Sequence, residues 1–208
     1  MSAERNWVAQ LNAFVRPAPV PSERCDLCGA MLAERHPHLV EPANGRMLCA
    51  CTACALLFEH EANARFRRVP SKVSLLQDLV VSEEDWRDLG VPIDIAFLCE
   101  SSVECRIVAR YPGAAGTVEA YVEPQAWSRL LRMNPALTTL APDIEALMVN
   151  RMHGAREYYR MPIDRCYSLA GLIRRHWRGL SGGLEVWREV EGYFDSLRTE
   201  VRAGANHA

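Results

Sequence analysis

The stretch from Cys25 to Cys54, CDLCGAMLAERHPHLVEPANGRMLCACTAC, contains five of the eight cysteines of this 208-residue chain. Its first pair, Cys25 and Cys28, is separated by two residues. At this spacing two thiolates can bind one metal ion from a tight turn. Gly29 follows, and glycine accepts the backbone angles of such a turn and lets N–H groups approach the sulfurs. The pair therefore predicts half of a four-thiolate metal site.

The second half of the stretch repeats this spacing with Cys51 and Cys54, although Ala55 stands where glycine would be preferred. Between the pairs, Asn44-Gly45 separates two apolar runs, which is a signal for a β-hairpin. A knuckle, a hairpin and a second knuckle form a zinc ribbon or a rubredoxin-like iron site. We predict one Zn²⁺, or alternatively Fe²⁺/Fe³⁺, held by four ligands: Cys25, Cys28, Cys51 and Cys54.

Three neighbouring residues are alternative ligands. Cys49 precedes Cys51 by two residues and would replace it after a small change in the turn, or else lie in the strand and point away from the site. His36 or His38 would complete a site with three thiolates. If neither binds metal, the two histidines are expected at a solvated strand start. The sequence leaves these alternatives open.

The cellular compartment bears on how the cysteines are interpreted. The first residues, MSAERNWVAQLNAFV, lack the pattern of a signal peptide, and no run of 18 apolar residues predicts a membrane span. We expect a cytoplasmic protein, in which thiols stay reduced and clustered cysteines indicate metal binding. Buried free cysteines, or a redox-active dithiol in a thioredoxin-like fold, are weaker alternatives. Outside the cluster, three cysteines lie in apolar patterns and are predicted to be core residues: Cys99, Cys105 and Cys166.

The chain changes character near Pro70. IDIAFLCES, CRIVARYPG and GTVEAYV predict adjacent strands, and IEALMVNRM with REYYRMP predicts a second hairpin. Two amphipathic helices follow. We predict an α+β fold with a largely antiparallel sheet packed against C-terminal helices. Its expected parts are a helix with a Pro-rich linker (1–20), a Cys-rich metal-binding module (21–69), an α+β domain (70–202) and a frayed tail (203–208).

The sequence gives no specific sign of catalysis or nucleic-acid binding. GLSGG at 179–183 matches the G-x-S-x-G pattern, but a helix is predicted before it where a hydrolase requires a strand. Gly179 is instead expected to cap that helix and Ser181 to begin the next. The net charge of -2 and pI near 6.3 give no general reason to expect nucleic acid or membrane insertion. We predict no catalytic residues and no enzyme.

Several stretches together resemble a bacterial family encoded beside nickel–iron hydrogenase genes, especially those of the high-affinity, actinobacterial-type enzymes. They are CDLCGAMLAERHPHLVE, LCACTACALLF, RFRRVP, ALMVNR and MPIDRCYSLAGLIRRHWRGLSGG. The resemblance implies a role in the assembly of a hydrogenase or in its electron handling, with a hydrogenase subunit or another accessory protein as partner. It supplies no catalytic residues.

Three hypotheses follow. The first is a non-enzymatic accessory protein whose four-cysteine zinc module is joined to an α+β domain that contacts the partner. The second is a rubredoxin-like one-electron carrier with iron in the same site. The third is a zinc-ribbon nucleic-acid binder, which the acidic total charge disfavours. If aromatic residues of the last helices stay exposed, they are expected to form the docking surface: Trp177, Trp187, Tyr193 and Phe194. The sequence does not predict an oligomeric state.

Overall fold

The computed structural model describes residues 23–58, 65–113, 116–179 and 182–205. The predicted N-terminal helix and nearly all of its linker lie outside these ranges. Of the tail predicted from residue 203, residues 203–205 instead continue the last helix, which ends at Ala205. No helix in the described ranges is long and apolar enough to cross a membrane.

A small antiparallel sheet contains β1 (His38–Glu41), β2 (Arg46–Cys49) and β3 (Arg67–Arg68), in the order β2-β1-β3. Strands β1 and β2 form the predicted hairpin, and Gly45 in its turn has a φ of 66°. Leu39 and Leu48 face a small core within the Cys-rich segment, whereas Val40 and Met47 pack into the core of the larger domain. The small sheet is therefore buried on both faces.

The large sheet has six strands in the order β4-β9-β8-β5-β6-β7, with antiparallel neighbours throughout. Its strands are β4 (Ser74–Leu75), β5 (Ile95–Ser101), β6 (Arg106–Gly113), β7 (Gly116–Tyr121), β8 (Glu145–Asn150) and β9 (Glu157–Pro162). The predicted strands and the second hairpin are thus present. Because side chains alternate along a strand, Phe97 and Met148 face one core while Leu98 and Leu147 face another.

Helices cover both faces of this sheet. Helices α4 (Ile163–His176) and α5 (Gly183–Ala205) lie on one face, and α2 (Glu83–Asp88) and α3 (Pro124–Met133) on the other. A short helix α1 (Thr52–Leu57) belongs to the Cys-rich segment, and 3-10 turns span Pro135–Thr139 and Met152–Gly154. The α+β class with an antiparallel sheet agrees with the sequence prediction.

Local signals in the sequence explain several element ends. The Ser82 hydroxyl accepts the Asp85 N–H at 3.0 Å, and the Asp85 carboxylate accepts the Ser82 N–H at 3.1 Å, which completes a capping box at α2. Pro124 occupies the first turn of α3, where its missing N–H removes no helical bond.

Two expectations from the sequence were wrong. Cys105 lies exposed in the turn between β5 and β6, with a φ of 51°, because its neighbours Glu104 and Arg106 are polar and β6 begins only at Arg106. Cys99 and Cys166 are buried as predicted. The second error concerns Gly179. Helix α4 ends at His176 with Trp177 as its C-cap, so Gly179 lies two residues beyond the position predicted for it. A helix does precede the G-x-S-x-G pattern, and its Ser181 lies outside the described residues.

Candidate metal centre

The far end of the β1–β2 hairpin brings the two cysteine pairs together. Asp26, inside the first pair, donates its N–H to the Cys49 carbonyl at 2.9 Å, and its carboxylate accepts the Cys49 N–H at 2.7 Å. These two hydrogen bonds fix the first pair against the end of β2. Because Cys51 follows β2 after a single residue, the same contact brings the second pair to the first.

The first pair forms the predicted tight turn. The Gly29 N–H donates to the Cys25 carbonyl at 2.8 Å, and Gly29 has a φ of 76°, a conformation that side chains disfavour. A Cβ at this position would meet no neighbouring atom within 4 Å. Glycine is therefore required by the backbone angle rather than by close packing.

The second pair differs from the predicted second knuckle. Cys51 is the N-cap of α1, and its sulfur accepts the Cys54 N–H at 3.4 Å. The Ala55 N–H donates to the Cys51 carbonyl at 2.9 Å, the first bond of the helix. Ala55 is fully buried in the small core. A helix continues from this pair, which accounts for alanine at the position where a knuckle would use glycine.

The four sulfurs of Cys25, Cys28, Cys51 and Cys54 lie within 4.8 Å of one another. The Sγ atoms of Cys28 and Cys51 are 3.7 Å apart. In a tetrahedron of thiolates at about 2.3 Å from zinc, adjacent sulfurs are about 3.8 Å apart. All eight cysteines lie in the described ranges and none is in a disulfide. The group thus has the donor type and the spacing for one tetrahedral metal ion.

The surroundings of the sulfurs favour a thiolate at one of them. Burial alone would raise the pKa of Cys25, but N–H groups of Cys51, Cys28 and Leu27 donate to its sulfur and lower the pKa to about 6. Burial raises the pKa of Cys54 to about 12, with the neighbouring thiols adding to the effect. A cation placed among the four sulfurs would favour ionisation of the remaining thiols.

The three residues predicted as alternative ligands form a separate group. One ring nitrogen each of His36 and His38, together with the Cys49 sulfur, lie within 4.8 Å of one another. Cys49 is directly opposite His38 across the hairpin. Burial raises the pKa of Cys49, and the carboxylates of Glu23 and Asp26 act in the same direction. The His36 side chain is 7% exposed and that of His38 26%, so neither is the solvated residue that was the alternative expectation.

Asp26 and Asp164 contribute to the site but were missed by sequence reasoning. Asp26 lies between the first two cysteines, and nothing in the sequence predicted its hydrogen bonds with Cys49 at the end of β2. Asp164 accepts the His38 Nδ1–H at 2.8 Å across 126 residues of chain. It occupies the first turn of α4, a place where an acidic residue is ordinarily read as favourable to the helix dipole. Only the folded arrangement reveals this second role.

Fold and site together define an α+β protein in which a thiol-rich hairpin segment with metal-binding spacing is packed on a helix-covered antiparallel sheet. The chain belongs to the Family of unknown function (DUF5947), whose model matches residues 24–201. The match runs from just before the first cysteine to the last helix. No curated protein and no solved structure shows significant similarity to the chain.

Proposed function

We propose that the protein is a non-enzymatic accessory protein in which Cys25, Cys28, Cys51 and Cys54 bind one structural Zn²⁺. The observation that carries the proposal is the grouping of these four sulfurs within 4.8 Å. A site with four protein thiolates is closed, which is the usual arrangement for structural zinc. Zinc bound there would join the first turn to the start of α1 and so hold the segment around the hairpin together.

Zinc is favoured over iron by the second cysteine pair. In iron–thiolate sites, N–H groups directed at the sulfurs set the reduction potential. In this protein Ala55 stands where the first pair has Gly29, and a helix continues from Cys51, which is its N-cap. The second half of the site therefore resembles a helix start more than the second knuckle of a rubredoxin.

A rubredoxin-like one-electron carrier is the second candidate, and one observation favours it. The Cys51 sulfur accepts the Cys54 N–H at 3.4 Å, and backbone N–H groups of Cys51, Cys28 and Leu27 lie close to the Cys25 sulfur. Such bonds stabilise a ferrous or ferric tetrathiolate as well as a zinc one. Metal content and colour of the purified protein separate the two candidates.

The partner that we propose is a subunit of a nickel–iron hydrogenase or another of its accessory proteins. The support for this partner is the sequence resemblance. For its contact surface we propose the groove of about 530 Å³ between the start of β5 and the start of α5, whose lining includes Trp177, Trp187 and Met152. The two indole rings are 6.2 Å apart and half-buried, and aromatic residues and methionine are enriched at protein interfaces. Phe194, by contrast, is fully buried and Tyr193 half-buried.

Co-expression with the hydrogenase subunits encoded in the same genome tests this proposal. The tagged chain is expected to co-purify with a subunit, and Met152→Arg is expected to abolish the association because it places a charge in the groove. Tyr121→Ala is the matched control, since Tyr121 is 59% exposed and lies outside the groove. Absence of every hydrogenase component from the wild-type eluate would refute the proposed partner. Equal recovery with Met152→Arg would refute the proposed surface.

A further inference from the structure

His36, His38 and Cys49 have the features of metal ligands in their own right. All three are held by the small sheet or the residues just before it, and their donor atoms lie within 4.8 Å of one another. Imidazole nitrogen and thiolate sulfur are the donors preferred by zinc and similar borderline divalent metals. The group lies on the face of the hairpin that is directed at the large domain, because His38 alternates with Leu39 and shares its face with Val40.

The hydrogen bonds of the two histidines select the ring nitrogen that is left for metal. The Nδ1–H of His36 donates to the Ala33 carbonyl at 2.9 Å, and the Nδ1–H of His38 donates to the Asp164 carboxylate at 2.8 Å. In each neutral ring the lone pair is then on Nε2. Metal-binding histidines almost always donate their other N–H to a carbonyl or a carboxylate in this way.

The Nε2 atom of His36 is buried and has no hydrogen-bond partner among the described residues. Leaving a buried acceptor unpaired is unfavourable, so such atoms are uncommon without a function. The Oε2 atom of the Glu23 carboxylate is 3.6 Å away from it. The two imidazole rings have centroids 4.9 Å apart.

The group also borders a cleft. A cavity of about 710 Å³ at the junction of the small sheet and α4 is lined by both histidines and Asp164, with Arg35, Arg68 and Lys72 among its other lining residues. Three protein ligands leave one position of a tetrahedron to be filled from solvent. Glu145 also lines the cleft, so three basic side chains stand against two acidic ones, a balance that favours a small anion over a second cation.

We propose that His36, His38 and Cys49 bind a second divalent metal ion of the zinc class, with Asp164 orienting His38 and the fourth coordination position open to water or a small anion from the cleft. This site is separate from the tetracysteine group. It links the hairpin to α4, since His38 is on β1 and Asp164 on the first turn of the helix.

Titration of the full chain with Co²⁺, without oxygen and with a phosphine reductant, tests the second site. Wild-type protein is expected to bind about two Co²⁺, one with the strong charge-transfer absorption of four thiolates and one with the weaker absorption of a single thiolate. His38→Ala is expected to lower the stoichiometry to about one and to retain the four-thiolate spectrum. His153→Ala is the matched control, because the His153 side chain is 77% exposed and lies outside both groups. A wild-type stoichiometry of one, or two ions retained in His38→Ala, would overturn the proposal.

Two further measurements keep the test independent of folding. Asp164→Asn removes no ligand and is expected to weaken Co²⁺ binding at the second site by about 10- to 100-fold while the four-thiolate site is unchanged. Unchanged affinity in this variant would contradict the role of Asp164. Adding azide to the loaded wild type is expected to shift the visible bands of the second ion only. An unaltered spectrum would overturn the open fourth position.

Discussion

Replacing Cys25 with serine is expected to release the metal from the tetracysteine site and to unfold part of the chain. Cys25 is 3% exposed and is one of the four cysteines whose sulfurs lie within 4.8 Å of one another, so its loss leaves three thiolates at the site. Structural zinc contributes apparent binding free energies of about 10–16 kcal/mol through four ligands. One ligand of four therefore corresponds to about 2.5–4 kcal/mol, or a loss of about 10²- to 10³-fold in affinity.

The packing predicts where the unfolding stops. The first turn and α1 depend on the metal and on the small core, whereas Val40 and Met47 of the hairpin are anchored in the large core. Amide exchange measured by mass spectrometry or NMR is therefore expected to rise by about 10²- to 10³-fold at Gly29 and Ala55, in line with the lost binding free energy. The amide of Phe97, in the middle of β5, is expected to stay protected.

Cys105→Ser is the matched control, because Cys105 is an exposed thiol in a turn outside both donor groups. This variant is expected to keep wild-type metal content and exchange rates. Unchanged metal content in Cys25→Ser would refute the ligand assignment. Loss of amide-exchange protection throughout the large sheet would instead refute the prediction that the unfolding stops at the hairpin, where Val40 and Met47 pack into the large core.

Three further predictions concern stability and pH. Phe194→Ala is expected to lower the free energy of unfolding by about 3–5 kcal/mol in urea titrations, because this side chain is fully buried between α5 and the sheet; a loss below about 1 kcal/mol would contradict its place in the core. Asp85→Asn is expected to cost about 1–2 kcal/mol at pH 7, since the hydrogen bonds from Ser82 lower the pKa of the Asp85 carboxyl. Because the pKa of this carboxyl is lower in the folded state than in the unfolded state, its ionised form stabilises the fold at pH values above the unfolded-state pKa. The difference in unfolding free energy between Asp85→Asn and wild type should therefore shrink as the pH falls below about 4. A difference that does not change with pH would contradict a stabilising role for the ionised carboxyl. Zinc affinity is expected to fall as the pH is lowered from about 8 to about 6, because the thiols of Cys28 and Cys54, whose pKa values are raised, must lose their protons on binding. Calorimetry in buffers of different ionisation enthalpy measures this proton release. Zinc binding without proton release would argue against thiolate ligands.

The fold could be predicted to the extent that local patterns determine it. The apolar runs in Ile95–Ser101 and Glu145–Asn150, the Ser82 capping signal and the Asn44-Gly45 turn each depend on neighbouring residues, and the structure has the corresponding elements. The turn at Cys105 was misread because a single residue between an apolar strand and a polar turn carries too little pattern to assign. The burial of both faces of the small sheet depends on contacts with residues far along the chain.

For the candidate metal site, too, the features set by neighbouring residues could be predicted, whereas those set by distant residues could not. The spacing of the two cysteine pairs reflects ligand geometry within a turn, which short stretches of sequence encode directly. The helical start at Cys51 had one local sign, the alanine in place of glycine. The environment of the histidines had none, since the Asp164 partner of His38 becomes its neighbour only when α4 packs against the hairpin.

Structural zinc in the tetracysteine site can be tested by the metal content and visible spectrum of the wild type, Cys25→Ser and Cys105→Ser, each purified from cells supplied with both zinc and iron. We expect colourless protein containing zinc, about one zinc fewer per chain in Cys25→Ser, and no change in Cys105→Ser. About one iron per chain, with the red colour of a ferric tetrathiolate that bleaches on reduction, would contradict structural zinc and indicate an electron carrier. Equal metal content in all three proteins would contradict the tetracysteine site itself.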